Sequence, residues 1–393
     1  MSVAVDEHRQ YLGDDHRLDA FRRAIAEAVR PGDLVLDLGS GTGILGMLAC
    51  RAGAKRVYSI EETSLIGLAR EIAEANGFSS RVRFLKGLSL RLELPEKVDV
   101  VVADQIGPFG FDAGIVEYFR DARARFLRPG GQMIPSAIDL WIAPVERDDL
   151  WRKIAFWDAP HAGFEFGPVR TLASNMGYPA TLQASELLAT PLAGKTIHLS
   201  DSGAAAISFQ ASFQVARDGC LHGIGAWFSA RLSPTVTMSN SPLDDNRINR
   251  SNLFFPLERQ VDVRKGDCVH VSFQILPEQV MVSWNVDVFT AMPDGQQSRI
   301  GHFKQSTFKG MLLSQEDLKK THPQFVPTIN PWGKARASVV NLCDGTRTIA
   351  QIEEEVFRRH SGLFRSAADA SAFVAEVVSR YSEQLDPLAI PTR

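Results

Sequence analysis

The feature that most constrains this chain is Val35-Leu-Asp-Leu-Gly-Ser-Gly-Thr-Gly43, an apolar run that ends in three alternate glycines. Residues 34–38 predict a buried parallel strand, and a helix pattern opens directly after the glycines over 44–52. Glycine lets the backbone approach a ligand closely and leaves the amides of the next helix N-terminus free. A second strand is expected at 57–60, with Glu61 at its carboxyl end, where an acidic side chain can hold a ribose diol. The stretch therefore predicts a nucleotide-cofactor site at the carboxyl edge of an α/β sheet.

Two cofactors fit the glycines. Gly41, Gly43 and Gly46, with Glu61 about twenty residues on, satisfy the dinucleotide fingerprint of nicotinamide enzymes. Asp37-Leu-Gly39 ahead of them extends the pattern to D-x-G-x-G-x-G, which resembles the first motif of class I S-adenosylmethionine methyltransferases. Leu127-Arg-Pro-Gly-Gly131 resembles the turn before the fifth strand of that fold. The resemblance implies S-adenosyl-L-methionine as cofactor, with Asp37, Gly39, Gly41, Gly43 and Glu61 in its site.

A length of 393 residues implies two or three domains. The net charge of -3 gives no general attraction to nucleic acid or to an anionic membrane. No apolar segment is long enough to span a bilayer, and the first residues lack the pattern of a signal peptide. Cys50, Cys220, Cys268 and Cys343 are scattered without metal-ligand spacing, so no metal is expected, and they suit a reducing cytoplasm.

Residues 8–28 read as one or two amphipathic helices. Their pattern, with His8, Leu12, Asp14, Arg17, Phe21, Ala24 and Ile25, resembles the helix before the cofactor strand in protein arginine methyltransferases. From residue type alone Arg17 reads by default as a solvated helix arginine; with the whole pattern in register, the resemblance implies instead that it pairs with the cofactor's carboxylate, as the arginine at that place does in the family. Further family-like segments follow in order, among them Ala52-Gly-Ala-Lys-Arg-Val-Tyr58, Asn76-Gly-Phe78, Arg81-Val-Arg-Phe84 and Leu140-Trp-Ile-Ala-Pro144. Leu90 stands where the family has a glutamate on the adenine amino group, so adenine would be held by backbone near Leu88 and Ser89.

The acceptor site is expected after the fourth strand, at 98–103. The family clamps its guanidinium between two glutamates on the loop there. Asp104 occupies the first place, Ala113 the second, and Asp112 precedes it as a possible helper; both aspartates could also be plain loop caps. Counting back from the turn Lys265-Gly-Asp267 places the family's Thr-His-Trp loop at Arg247-Ile-Asn-Arg250, with Asn249 standing for the histidine. His302, in Gly301-His-Phe-Lys-Gln305, looks similar but is expected to lie past the barrel and is read as a decoy.

Alternating helix and strand patterns predict a doubly wound, Rossmann-like methyltransferase sheet over 1–145. Short strand patterns predict an antiparallel β-barrel for acceptor and dimer contacts over 146–305, with separate strands at 253–257 and 261–263. Residues 306–393 read as a linker and a small, mostly helical domain. Leu342-Cys-Asp-Gly-Thr-Arg-Thr-Ile349 resembles PqqD-like winged-helix domains, which bind peptides by strand addition; a helical cap is the alternative. Residues 157–166 resemble the start of the family's dimerisation arm, which implies a homodimer. The expected function is N-methylation of a peptide or protein side chain, arginine by resemblance. Another nitrogen or a carboxylate acceptor, or a non-catalytic cofactor-binding module, stays open.

Overall fold

In the computed structural model, which describes residues 3–200, 206–291 and 297–382, the glycine-terminated run forms β1 (Leu34–Leu38), buried along its whole length. Two helices precede it, α1 (Val3–Leu12) and α2 (Asp15–Ala28). Asp14 separates them: its side chain accepts from the backbone amide of Arg17 at 3.1 Å and caps α2. After β1 come α3 (Ile44–Ala52), β2 (Arg56–Glu61), α4 (Leu65–Ala75), β3 (Val82–Lys86), β4 (Val98–Ala103), α5 (Ile115–Arg125) and β5 (Leu127–Ile134). These strands pair in parallel in the order β3-β2-β1-β4-β5. The order reverses between β1 and β4, so their carboxyl ends open the crevice in which such sheets bind ligands.

The parallel sheet stops at β5. Strand β6 (Ala137–Val145), expected to close the first domain, instead pairs with strands of the next layer. Helices α6 (Asp148–Ala155) and α7 (Gly167–Ser174) lead to β7 (Tyr178–Ala180), β8 (Leu192–His198), β9 (Ile207–Gln214), β10 (Gly219–Arg231), β11 (Thr237–Ser239), β12 (Asn252–Val263), β13 (Cys268–Leu276), β14 (Met281–Ala291) and β15 (Gln297–Ser306). They form two antiparallel sheets, β7-β12-β10-β6-β8 with β11 on β10, and β15-β14-β13-β9. Strict burial alternation along β9 marks a sheet with one face on the core.

Two differences from the sequence reading have local causes. The strands expected at 253–257 and 261–263 are one strand, β12, whose pairing with β10 absorbs an irregularity between Leu221 and Gly223. Residues 301–305, expected past the barrel, lie inside β15, where Gly301, Phe303 and Gln305 alternate inward. His302 points outward there and pairs with Asp287, its Nδ1 2.7 Å from the carboxylate.

The chain divides into two compact units, Met1–Leu312 and Leu313–Arg393. In the second, α8 (Gln315–Lys320) has no buried residue, and α9 (Pro331–Leu342), α10 (Ile349–Arg359) and α11 (Ala367–Tyr381) pack around Val339, Ile352, Val356, Phe364, Val374 and Val377. Asn330, Thr348 and Ser366 cap α9, α10 and α11 through side-chain oxygens. Among its described residues there is no strand, so the open strand edge expected for peptide addition is missing from them. No described helix of the chain is long and apolar enough to cross a membrane.

Candidate active site

The glycine loop turns back under β1 because three of its residues adopt left-handed backbone: Gly39 at φ 64°, Gly41 at 52° and Gly43 at 80°. Glu61, at the end of β2, ties the loop down. Its Oε2 accepts from the Gly41 amide at 2.9 Å and its Oε1 from the Thr63 amide at 2.8 Å. A side chain at Gly41 would place its Cβ 2.3 Å from His8 of α1, and one at Gly39 would reach Gln105 at 2.5 Å. Movable side-chain ends, and not backbone, therefore cover the bare loop.

Beneath the loop lies Asp37, fully buried. Its Oδ2 accepts from the Gly46 amide at 2.8 Å, while its Oδ1 and the hydroxyls of Ser40 and Ser59 are buried with no partner among the described residues. Desolvation pushes the Asp37 carboxyl up to about 7; the Gly46 amide opposes that, and Glu61 adds to it. Leu88 and Ser89 sit at a short 3-10 turn, Ser89–Arg91. The Ser89 carbonyl already accepts from Arg125 at 2.7 Å and the Leu88 carbonyl from the Arg91 amide at 2.9 Å. An adenine contact through either carbonyl would share it.

Asp104 follows β4 at the same edge. Its side chain is 9% exposed, and its Oδ2 receives both Arg17 Nε and, at 3.0 Å, Arg250 Nη2. Burial opposes its charge, but Arg250 and Arg17 outweigh that and hold the carboxyl below its ordinary value. Arg17 Nη1 donates to the Tyr11 carbonyl at 3.0 Å, and its guanidinium lies 5.3 Å from the Tyr11 ring centroid. Two of the three nitrogens expected to meet a cofactor carboxylate are thus engaged within the chain. Burial, with Glu7, pushes the Tyr11 phenol up to about 12.

The other two acceptor candidates are placed differently from expectation. Asp112 Oδ1 accepts from the Phe109 amide at 2.8 Å and closes the loop over 107–112, and burial raises its carboxyl. That is the loop-capping arrangement, and the close approach to Gly107 leaves no room there for a Cβ. Asn249 is exposed, and its backbone amide donates to Asp14 Oδ2 at 2.7 Å. The next side chain, Arg250, is the one that reaches Asp104. The loop is anchored from below by buried Asn240, which donates to the Pro108 and Ser251 carbonyls at 2.8 Å each and accepts from the Phe228 amide at 2.9 Å. Phe109 packs on Phe255 and Phe273 of the antiparallel sheets.

This two-layer arrangement has close counterparts. A family model described as the arginine methyltransferase oligomerization subdomain matches residues 136–289, and one described as ribosomal protein L11 methyltransferase matches residues 21–139. Protein arginine N-methyltransferase 6 of Xenopus laevis is 28% identical over 290 residues, covering 70% of this chain and 85% of that protein. Protein arginine N-methyltransferase 1 of Dictyostelium discoideum is 29% identical over 280 residues, covering 69% and 81%. The chain resembles protein arginine methyltransferases through both layers of its first unit.

It is a methyltransferase that uses S-adenosyl-L-methionine. The fold agrees. The Trypanosoma brucei PRMT1 enzyme–prozyme complex with AdoHcy superposes with a TM-score of 0.68 at 20% identity, covering 76% of this chain and 97% of that one. Protein arginine methyltransferase 10 of Arabidopsis thaliana gives 0.65 at 21%, with the same coverage. The matched family models end at residue 289, and the PqqD-like resemblance of the second unit has no support among the matches.

The cofactor fits the residues present. Carboxylate oxygens that each hold one backbone amide, as in Glu61, keep lone pairs for two hydroxyls, and the unpartnered Ser40 hydroxyl and Asp37 Oδ1 lie at the loop. Three placements were missed by reading residue types: His8 over Gly41, Tyr11 beside Arg17, and Arg250 on Asp104. The last had a signal, a second basic residue in the four-residue stretch Arg247-Ile-Asn-Arg250, beside an acidic loop.

Proposed function

We infer that the protein methylates a side-chain nitrogen of arginine in a peptide or protein substrate. The observation that supports this most is Asp104, a buried carboxylate held ionised at the same sheet edge as the glycine loop. A guanidinium is cationic below about pH 12 and its lone pairs are delocalised. An ionised carboxylate attracts it, accepts its N–H bonds and fixes its orientation.

The bound cofactor supplies an electrophilic methyl group on a sulfonium. In this reading Glu61 takes the ribose hydroxyls, and the bare backbone of Gly39, Gly41 and Gly43 lines the rest, with Asp37 bracing the loop through Gly46. The backbone of Leu88 and Ser89 flanks the adenine. Arg17 offers Nη2 to the cofactor's carboxylate while Nε keeps Asp104 in place. Asp112 and Asn249 act through the loops, by closing 107–112 and by docking on Asp14. The lowered Asp104 carboxyl suits it to hold a cation and not to remove a proton, so the proton released from nitrogen goes to water.

The matched oligomerization subdomain supports an oligomer. A homodimer is the form we propose, because the segment between α6 and α7 exposes Phe156 and Phe164, at 52% and 70%. The four free cysteines suit the cytoplasm. The function is tested by incubating the protein with isotopically labelled S-adenosyl-L-methionine and arginine-containing peptides, then locating the label by mass spectrometry. Label on arginine is expected. Label on another residue alone, or none on any peptide, would contradict the reading.

A further inference from the structure

Arg250 stands in the acceptor site as a guanidinium of the chain's own. Its side chain is 12% exposed, its Nη2 donates to Asp104 Oδ2 at 3.0 Å, and its guanidinium carbon lies 5.9 Å from the Phe228 ring centroid. The rest of its fork is poorly served. Nη1 is buried with no partner among the described residues, and so is Asp104 Oδ1.

Arg125 shows how this chain holds a fixed structural arginine. Its Nε and Nη2 meet both carboxylate oxygens of Asp121, and its Nη1 and Nη2 reach the carbonyls of Leu92 and Ser89 at 2.7 Å each. Arg250, by contrast, rests on a single carboxylate oxygen. It is retained by charge and not caged by geometry. It also sits on the loop between β11 and β12, outside either strand, and residues 243–246 of that loop are exposed.

We propose that Arg250 is an internal occupant of the acceptor site, which an incoming arginine side chain must displace from Asp104. It thereby sets the affinity and selectivity for the acceptor. The inference rests on Asp104 being the acceptor carboxylate. A substrate guanidinium added beside Arg17 and Arg250 would gather three positive charges around Asp104, with Asp112 the other carboxylate facing Arg250, in a site shielded from water, where like charges repel strongly. The occupied and substrate-bound arrangements therefore exclude each other. Apparent affinity falls with the fraction of molecules in which Arg250 is out, so a site open one-tenth of the time binds about tenfold more weakly.

Arg250→Gln removes the charge and shortens the reach. Initial rates with an arginine-containing peptide should show KM lowered by about tenfold or more, with the dissociation constant for S-adenosyl-L-methionine unchanged. Methylguanidinium should become a competitive inhibitor of the variant at concentrations that leave the parent protein unaffected. An unchanged or raised KM in folded Arg250→Gln would overturn the proposal and leave Arg250 as a support for Asp104. If that variant does not fold, Arg250→Lys carries the test. It keeps the charge without the fork, so KM should fall by about threefold or more, and an unchanged KM overturns the proposal. Asp104→Asn in the parent protein separates the two levels. Normal turnover by that variant would refute the acceptor reading itself, whatever Arg250 does.

Discussion

Asp37 allows one consequence of the site's electrostatics to be worked through. Its carboxyl is fully buried and pushed by desolvation up to about 7 from an ordinary 3.8. The folded state thus binds this proton more tightly than the unfolded chain does. Below about pH 4 both states are protonated and burial of the group costs nothing through ionisation. Between about pH 4 and 7 the unfolded state gains from ionising while the folded state does not, so folding stability declines across that window. Above about pH 7 the decline is complete. At 1.36 kcal/mol per pH unit the ceiling is about 4 kcal/mol.

Asp37→Asn keeps an oxygen for the Gly46 amide and removes the titration. Urea unfolding followed by intrinsic fluorescence at several pH values gives the comparison. The variant should gain on the parent protein by up to about 4 kcal/mol between pH 4 and pH 8. The difference should flatten at both ends. A parallel pH dependence in the two proteins would refute the assignment of this carboxyl as buried and raised.

Other expectations follow from single contacts. Glu61→Ala removes the carboxylate that would serve the ribose and frees the Gly41 and Thr63 amides; calorimetry should show cofactor binding weaker by about 1.5–3 kcal/mol, and unchanged affinity would exclude this loop as the cofactor site. Asn240→Ala leaves the Phe228 amide and the Pro108 and Ser251 carbonyls without their buried partner. It should lower stability by about 2–4 kcal/mol and lower turnover more than cofactor affinity, because Pro108 belongs to the acceptor loop; equal loss of both would detach Asn240 from that loop.

How far the fold could be read in advance depended on how local its causes are. β1, its glycines and β2 were legible because strand burial and left-handed backbone leave their mark in adjacent residues. The single strand β12 was not, since Pro256 and the charged pair Glu258-Arg259 broke the pattern while β10 pairs with the strand on both sides of that break. β15 was missed for a similar reason: its inward positions include Gly301 and Gln305, and Gln305 is buried beside the Ser174 carbonyl, a partner far off in sequence. At the site, the position of Asp104 was readable from the strand before it. Its two arginines were not, because Arg17 and Arg250 arrive from a helix and a loop separated from it by 87 and 146 residues. Spacing rules describe one element at a time, and a charge pair between distant elements has no period.

The central claim is that Asp104 serves the methyl acceptor and not the cofactor. The most direct test is Asp104→Asn, with peptide methylation rates and the S-adenosyl-L-methionine dissociation constant measured on the same preparation. The account predicts a rate lowered by about a hundredfold or more beside a nearly unchanged cofactor affinity, which also certifies that the variant is folded. A retained rate, or a loss of cofactor affinity matching the loss of rate, would contradict it.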